Sequence, residues 1–249
     1  MSHKKIEKAI NKWFEDTQKL IAEVSSRDKS HSLLFCAFAI PVMKTYCRAA
    51  VLLLDEGFKL PAMALIRVIS EFFIKFLWCV VIPVDENEIR NRLLRWEKTA
   101  SSKKLNLYND LLKLKEGVLN KEDLEKTKKS KEELEITDKG NTAEKMPKVR
   151  DIFESTSKIF GGNVSAFLYS QFHPAVHIDT LILSELKQEG TGQGWGINDD
   201  INENLGDLKT TCLKLAYMFL FSVHTKKHWG MEAIEKEYNS IIGDLSTKD

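Results

Sequence analysis

The stretch LPAMALIRVISEFFIKFLWCVVI, Leu60–Ile82, decides the fold. It is apolar almost all the way round a helical turn, and a helix of that kind is wrapped by other helices. At about 100° per residue, Arg67 and Glu71 stand one above the other, Ser70 lies beside them, and Lys75 follows a turn later. Leu60, Met63 and Ala64 precede this island on the same line, and Ile74 and Trp78 follow it. A solvated face stays polar along its length. This face starts apolar, becomes charged for about two turns and turns apolar again, which marks it as a place where charge is held for a purpose.

Outward from this stretch the pattern remains helical. His3–Val24 is amphipathic, with Ile6, Ile10, Trp13, Phe14, Leu20 and Ile21 on one side, and the polar run Ser25–Ser30 ends it. Ser32–Gly57 reads as a long buried helix that Pro41 should kink or start. Gly57 suits a C-terminal stop and Pro61 a first turn, so the short link makes antiparallel neighbours. Past Pro83, Asp85 or Asn87 can cap a helix to about Glu116. Lys121–Glu135 is almost wholly charged and reads as a solvated or projecting helix, and Ile136–Met146 reads as a loop. Further helices are expected over 147–160, 164–172, 175–186, 198–228 and 229–242, with a glycine-rich connection over 188–197. No strand pattern or internal repeat interrupts them. The expectation is an all-α bundle of about seven to nine helices around a central apolar helix. It forms a single domain over 1–249, with a charged insertion at about 118–146.

Composition narrows the function classes. In 249 residues with 43% hydrophobic and 29% charged content, a net charge of +1 gives no global attraction to nucleic acid or membrane. The two most apolar runs are broken by Lys44 and Arg48 in one and by Arg67, Glu71 and Lys75 in the other, which a membrane span would tolerate poorly. The N-terminus lacks the apolar core of a signal peptide. Cys36, Cys47, Cys79 and Cys212 have no metal or redox spacing and sit in apolar runs, as buried thiols of a reducing compartment do. A cytoplasmic protein without a membrane partner is the expectation.

Two groups of residues could carry chemistry. Arg67 is suited to clamp a phosphate or carboxylate, with Glu71 to hold it or to act as a base. If no ligand is involved, the two are an intrahelical ion pair. The second group is FLYSQFHPAVHID, where Tyr169, Ser170, His173 and His177 cluster at a junction between helices. Amide groups at a helix N-terminus favour anions there. His224 and His228, four apart, could join a metal site only with partners from elsewhere, and no metal-binding motif accompanies them. No metal or cofactor is therefore expected.

The run Asp55-Glu56-Gly57, followed by Ala62 to Glu71 with its A-x-x-L-x-R-x-x-x-E pattern, resembles the central motif of an uncharacterised prokaryotic family of helical proteins. Tyr169, Ser170 and His173 resemble that family's later Tyr/Ser–His stretch, so the likeness spans roughly Ser32–His177. The architecture is similar to the HEPN helical bundles, many of which are ribonucleases or nucleotide-transfer partners in bacterial toxin and phage-defence systems. Those nucleases place an arginine a few residues before a histidine. This chain has no arginine at that distance before His173, His177, His224 or His228, so Arg67 and His173 would have to meet from different helices.

The resemblance implies a HEPN-like effector of the ribonuclease or phosphate-handling kind. His173, Glu71 and Tyr169 would be its catalytic groups, and Arg67, Ser170 and His177 its ligand-binding ones. RNA or a nucleotide would be the partner. A non-catalytic sensor of a small anion or nucleotide is the alternative. So is a helical interaction protein that forms a homodimer through exposed Trp and Phe positions on its first or last helix.

Overall fold

A computed structural model describes residues 3–113, 121–149, 151, 152, 156, 205–229 and 236. Among these residues the regular structure is all helical: α1 (His3–Ser25), α2 (His31–Asp55), α3 (Lys59–Phe76), a π turn (Leu77–Val81), α4 (Glu86–Lys113), α5 (Lys121–Gly140) and α6 (Leu205–Lys227). The helices expected between 157 and 204 and after Trp229 lie outside the described residues. The chain divides into two compact units, Met1–Ile82 with Val149–Asp249, and Pro83–Lys148.

In the first unit, α1 buries Ile6, Ile10, Trp13, Phe14, Thr17 and Ile21, the face its spacing specifies. Ser30 caps α2: its hydroxyl accepts from the Leu33 amide at 3.3 Å. Pro41 sits inside α2 and does not mark its start. The helix ends where Gly57, at φ +81°, donates to the Leu54 carbonyl at 3.2 Å and Phe58 donates to Leu53 at 2.7 Å. This paired closure needs a left-handed residue just past the end, a conformation that costs glycine nothing. It turns the chain back so that α3 packs on α2. The same closure ends α6, with His228 at φ 54° donating to Thr225 and Trp229 donating to His224.

The core is shared more widely than the sequence indicates. Helix α2 packs against α1, α3 and α6, and α6 packs against α1, α2, α3 and the π turn. Aromatic rings join these layers: Phe76 lies 4.8 Å from Phe219 and 6.2 Å from Phe35, and Phe73 lies 6.3 Å from Phe219, between centroids. The expected continuous helix over Leu60–Ile82 is regular only to Phe76. It then widens into a turn closed by Ile82 N–H to the Leu77 carbonyl at 3.0 Å, with Leu77, Trp78, Cys79 and Val80 buried.

Ion pairs far apart in sequence tie α6 to the first two helices. Lys209, 7% exposed, meets Asp55 at 2.6 Å and Glu7 at 3.8 Å. Lys227 donates to Asp28 at 2.9 Å and to the hydroxyls of Ser30 and Ser32 at 3.1 and 3.2 Å. The Ser30 amide, 2.7 Å from the Asp28 carboxylate, and then the Lys227 ammonium hold Asp28 down to about 2 from 3.8. A depressed carboxyl stabilises the fold above its unfolded value, and that contribution is lost as pH falls through the folded value. Asp28→Asn should therefore cost about 1 kcal/mol at neutral pH, after allowance for partial exposure, and only a small fraction of that near pH 2. Urea unfolding of both proteins at several pH values between about 7 and 2 measures the converging difference.

The second unit is a helical hairpin in which α5 packs on α4. Asp85 accepts from the Glu88 amide at 2.9 Å, the N-terminal cap expected there. Helix α5 does not stop at Glu135. It continues to Gly140, which corrects the loop expected from Ile136. The reason is tertiary: Lys98 reaches both the carboxylate and the carbonyl of Asp138, at 2.8 and 2.6 Å, and neutralises the negative end of the helix. Beyond it Asn141 donates to the Leu94 carbonyl at 3.0 Å and Met146 to the Thr99 hydroxyl at 2.7 Å, which fixes 141–146 against α4.

Candidate functional site

Helix α3 has almost no apolar-free face, so Arg67 is carried into the packing between helices and is 5% exposed. Glu71, one turn on, has a side chain 30% exposed, and one carboxylate oxygen lies 3.6 Å from the Arg67 guanidinium. The other oxygen receives the Lys75 ammonium, itself largely buried. The result is a ladder of two cations on one carboxylate, all from one helix at i, i+4 and i+8. Ser70, beside the ladder, donates its hydroxyl to the Ile66 carbonyl at 2.8 Å and so spends its proton on the helix backbone. The sequence showed Lys75 on the same island but gave it no role. In the structure it is the third member of the site.

The ladder sets two cations beside one carboxylate in a setting mostly withdrawn from water, where low dielectric strengthens the attraction of a cation for an anion. Chemically the arrangement is fitted to take a phosphate or carboxylate at the guanidinium, which offers a planar fork of donors. Glu71 is engaged by both cations, one on each carboxylate oxygen.

Tyr169, Ser170, His173 and His177, the other expected site residues, lie outside the described residues. His224 is described and buried on α6. Its Nε2 lies 3.0 Å from the Thr17 hydroxyl, which donates onward to the Trp13 carbonyl at 2.7 Å. The hydroxyl proton is thereby committed, so the imidazole is the Nε2–H tautomer donating to Thr17. Burial pushes His224 down from its ordinary value, so the ring stays neutral and serves packing, its edge against Trp229 at 5.5 Å. His228 is exposed at the end of α6. Among the described residues no group of three or more His, Cys, Asp or Glu side chains is placed to hold a metal ion.

The four cysteines are buried free thiols. Cys212 lies 3.8 Å from the Cys47 carbonyl oxygen, joining α6 to α2. The hydrogen bond with Cys212, and then burial, push the Cys47 thiol up and away from the reactive thiolate.

Clefts also open along α1 and α2. One, of about 830 Å³, runs along α1 past Lys4, Lys8 and Lys12. The other, of about 390 Å³, lies against α2 between Lys44 and Asp55. Neither has Arg67 or Glu71 in its wall.

Fold and ladder together define an all-helical bundle protein with a charge cluster built on one buried helix. The chain belongs to DUF5677, a family of unknown function, whose match covers residues 41–193. That range takes in the second part of α2, all of α3 with the ladder, the hairpin unit and the Tyr169–His177 stretch, and it leaves out α1 and α6. No curated protein and no solved structure matches the chain.

Proposed function

We propose that the protein is a phosphate-handling helical effector of the HEPN-like kind, acting in the cytoplasm of a bacterium within a toxin or phage-defence system. The Arg67 guanidinium takes a phosphate of a nucleotide or of RNA, Lys75 adds the second positive charge, and Glu71 is the counter-ion that holds both cations in place. The observation that carries this reading is the shared carboxylate: it gathers a guanidinium and an ammonium, both largely withdrawn from water, on one helix, the kind of donor set that recognises phosphate. His173 supplies acid–base chemistry, because an imidazole titrates near neutral pH. Tyr169 orients it, and Ser170 and His177 bind the ligand beside Arg67. Further helices over 147–186 and 229–242 add to the six described.

A second reading, a nucleotide sensor without turnover, is favoured by one feature. Glu71 is tied to both cations, which leaves any catalysis to the histidine. Incubation of the protein with mixed RNA separates the two. The catalytic reading expects fragments from the native chain and a loss of more than about tenfold in rate for both Arg67→Lys and His173→Ala, the range for removal of a phosphate clamp or a general acid. The same fragment pattern from all three proteins would end it. A nucleotide that raises the melting temperature of the native chain without turnover would establish the sensor.

A further inference from the structure

The first helix cannot supply the homodimer face considered above, because Trp13 and Phe14 are buried. An exposed apolar stripe lies on α2. Leu34, Phe38, Pro41, Thr45, Arg48 and Leu52 follow one another at offsets of 4, 7, 11, 14 and 18 residues, which is one stripe of a helix. All six are exposed, Leu34 by 51%, Phe38 by 57% and Leu52 by 62%. Phe38 is rooted in the core: its ring lies 5.9 Å from Phe35, which stacks on Phe76. An anchor held in this way loses little freedom when a partner covers it.

The stripe is self-complementary when reversed. Two copies of α2 laid antiparallel about a midpoint near Met43 set Leu34 against the partner's Leu52, Pro41 against the partner's Thr45, and Phe38 against the partner's Arg48. Arg48 and Leu52 wall the cleft of about 390 Å³, so a projecting ring on one copy meets a recess on the other. Charge selects the same direction. Exposed Arg27 and Lys29 precede α2, and exposed Asp55 and Glu56 end it. Antiparallel packing therefore joins basic end to acidic end with opposed helix dipoles, whereas parallel packing joins like to like. The small Ala37 and Pro41 near the midpoint let the two helices approach closely.

We propose that this face of α2 docks a second copy of the chain, related by a two-fold axis through the middle of the helix. A stripe of this kind falls in the range of the largest apolar patch on a monomer, roughly 300–600 Å², below the ~800 Å² per partner of a standard interface. The dimer is accordingly of moderate affinity. By length and composition alone α2 could also cross a membrane. Arg48 on the stripe and the recess beside it suit a protein partner of matching shape better than lipid.

The test is light scattering on the full chain from about 1 to 200 µM, with circular dichroism to confirm that each variant is folded. The native chain should reach twice its 28.6 kDa mass. Phe38→Lys, which sets a lysine against the partner's Arg48, should weaken association by at least ~30-fold, and adding Arg48→Glu should restore much of it by pairing opposite charges. A native chain that stays at 28.6 kDa throughout, with or without binding to anionic lipid vesicles, would overturn the proposal. So would a Phe38→Lys variant that associates as the native chain does, or a double variant that associates no better than Phe38→Lys.

Discussion

Phe76→Ala should lower the stability of the protein by about 3–5 kcal/mol, the range for removing a large aromatic from a filled core. Phe76 is fully buried at the end of α3, between Phe35 of α2 and Phe219 of α6, so its ring is the point where three helices meet. Loss of the ring removes the transfer term and leaves a cavity that two aromatic neighbours on different helices cannot close together. Urea unfolding followed by tryptophan fluorescence measures this as a fall in midpoint at unchanged slope. Phe72 is partly exposed on the same helix and gives the control: alanine there should cost well under half as much.

Glu71→Gln should have the second largest effect, about 2–3 kcal/mol, although glutamine has nearly the same shape. The substitution keeps the packing and removes the carboxylate charge that Arg67 and Lys75 share. Removal of one member of a withdrawn charge cluster costs more than the pair was worth, since the remaining cations face each other with poor solvation. The partial exposure of Glu71 keeps the loss below that of a fully buried pair. Arg67→Gln in the same background should recover part of the stability by removing the excess charge, which a merely steric effect of glutamine would not do.

The class of fold was legible because local signals agreed with one another. The apolar face of α1, the glycine at 57, the capping Asp85 and the apolar run of α3 each fix a short segment by its own residues. The Arg67–Glu71 pair was legible for the same reason, as an i, i+4 spacing read from one helix. What escaped was non-local. The role of α6 was hidden because LGDLKTTCLKLAYMFLFSVHTKK is apolar on several sides, so no single face says which helices it touches. No local spacing pairs its lysines, and Lys209 and Lys227 find their carboxylates 154 and 199 residues away. The added turn of α5 likewise depends on Lys98 from a different helix. At the candidate site, the sequence gave the cation and its counter-ion but not the sharing of one carboxylate by two cations. That follows from rotamers and burial, which spacing does not specify.

The most direct measurement of the central claim, that the α3 ladder takes a phosphate, is thermal melting in phosphate against chloride at matched ionic strength. The account predicts that inorganic phosphate raises the melting temperature of the native chain and restores most of what Glu71→Gln has lost, because the added anion takes the place of the missing carboxylate. It predicts no specific gain for Arg67→Gln. Equal melting of the native chain and of Glu71→Gln in the two salts, over the whole titration, would contradict it.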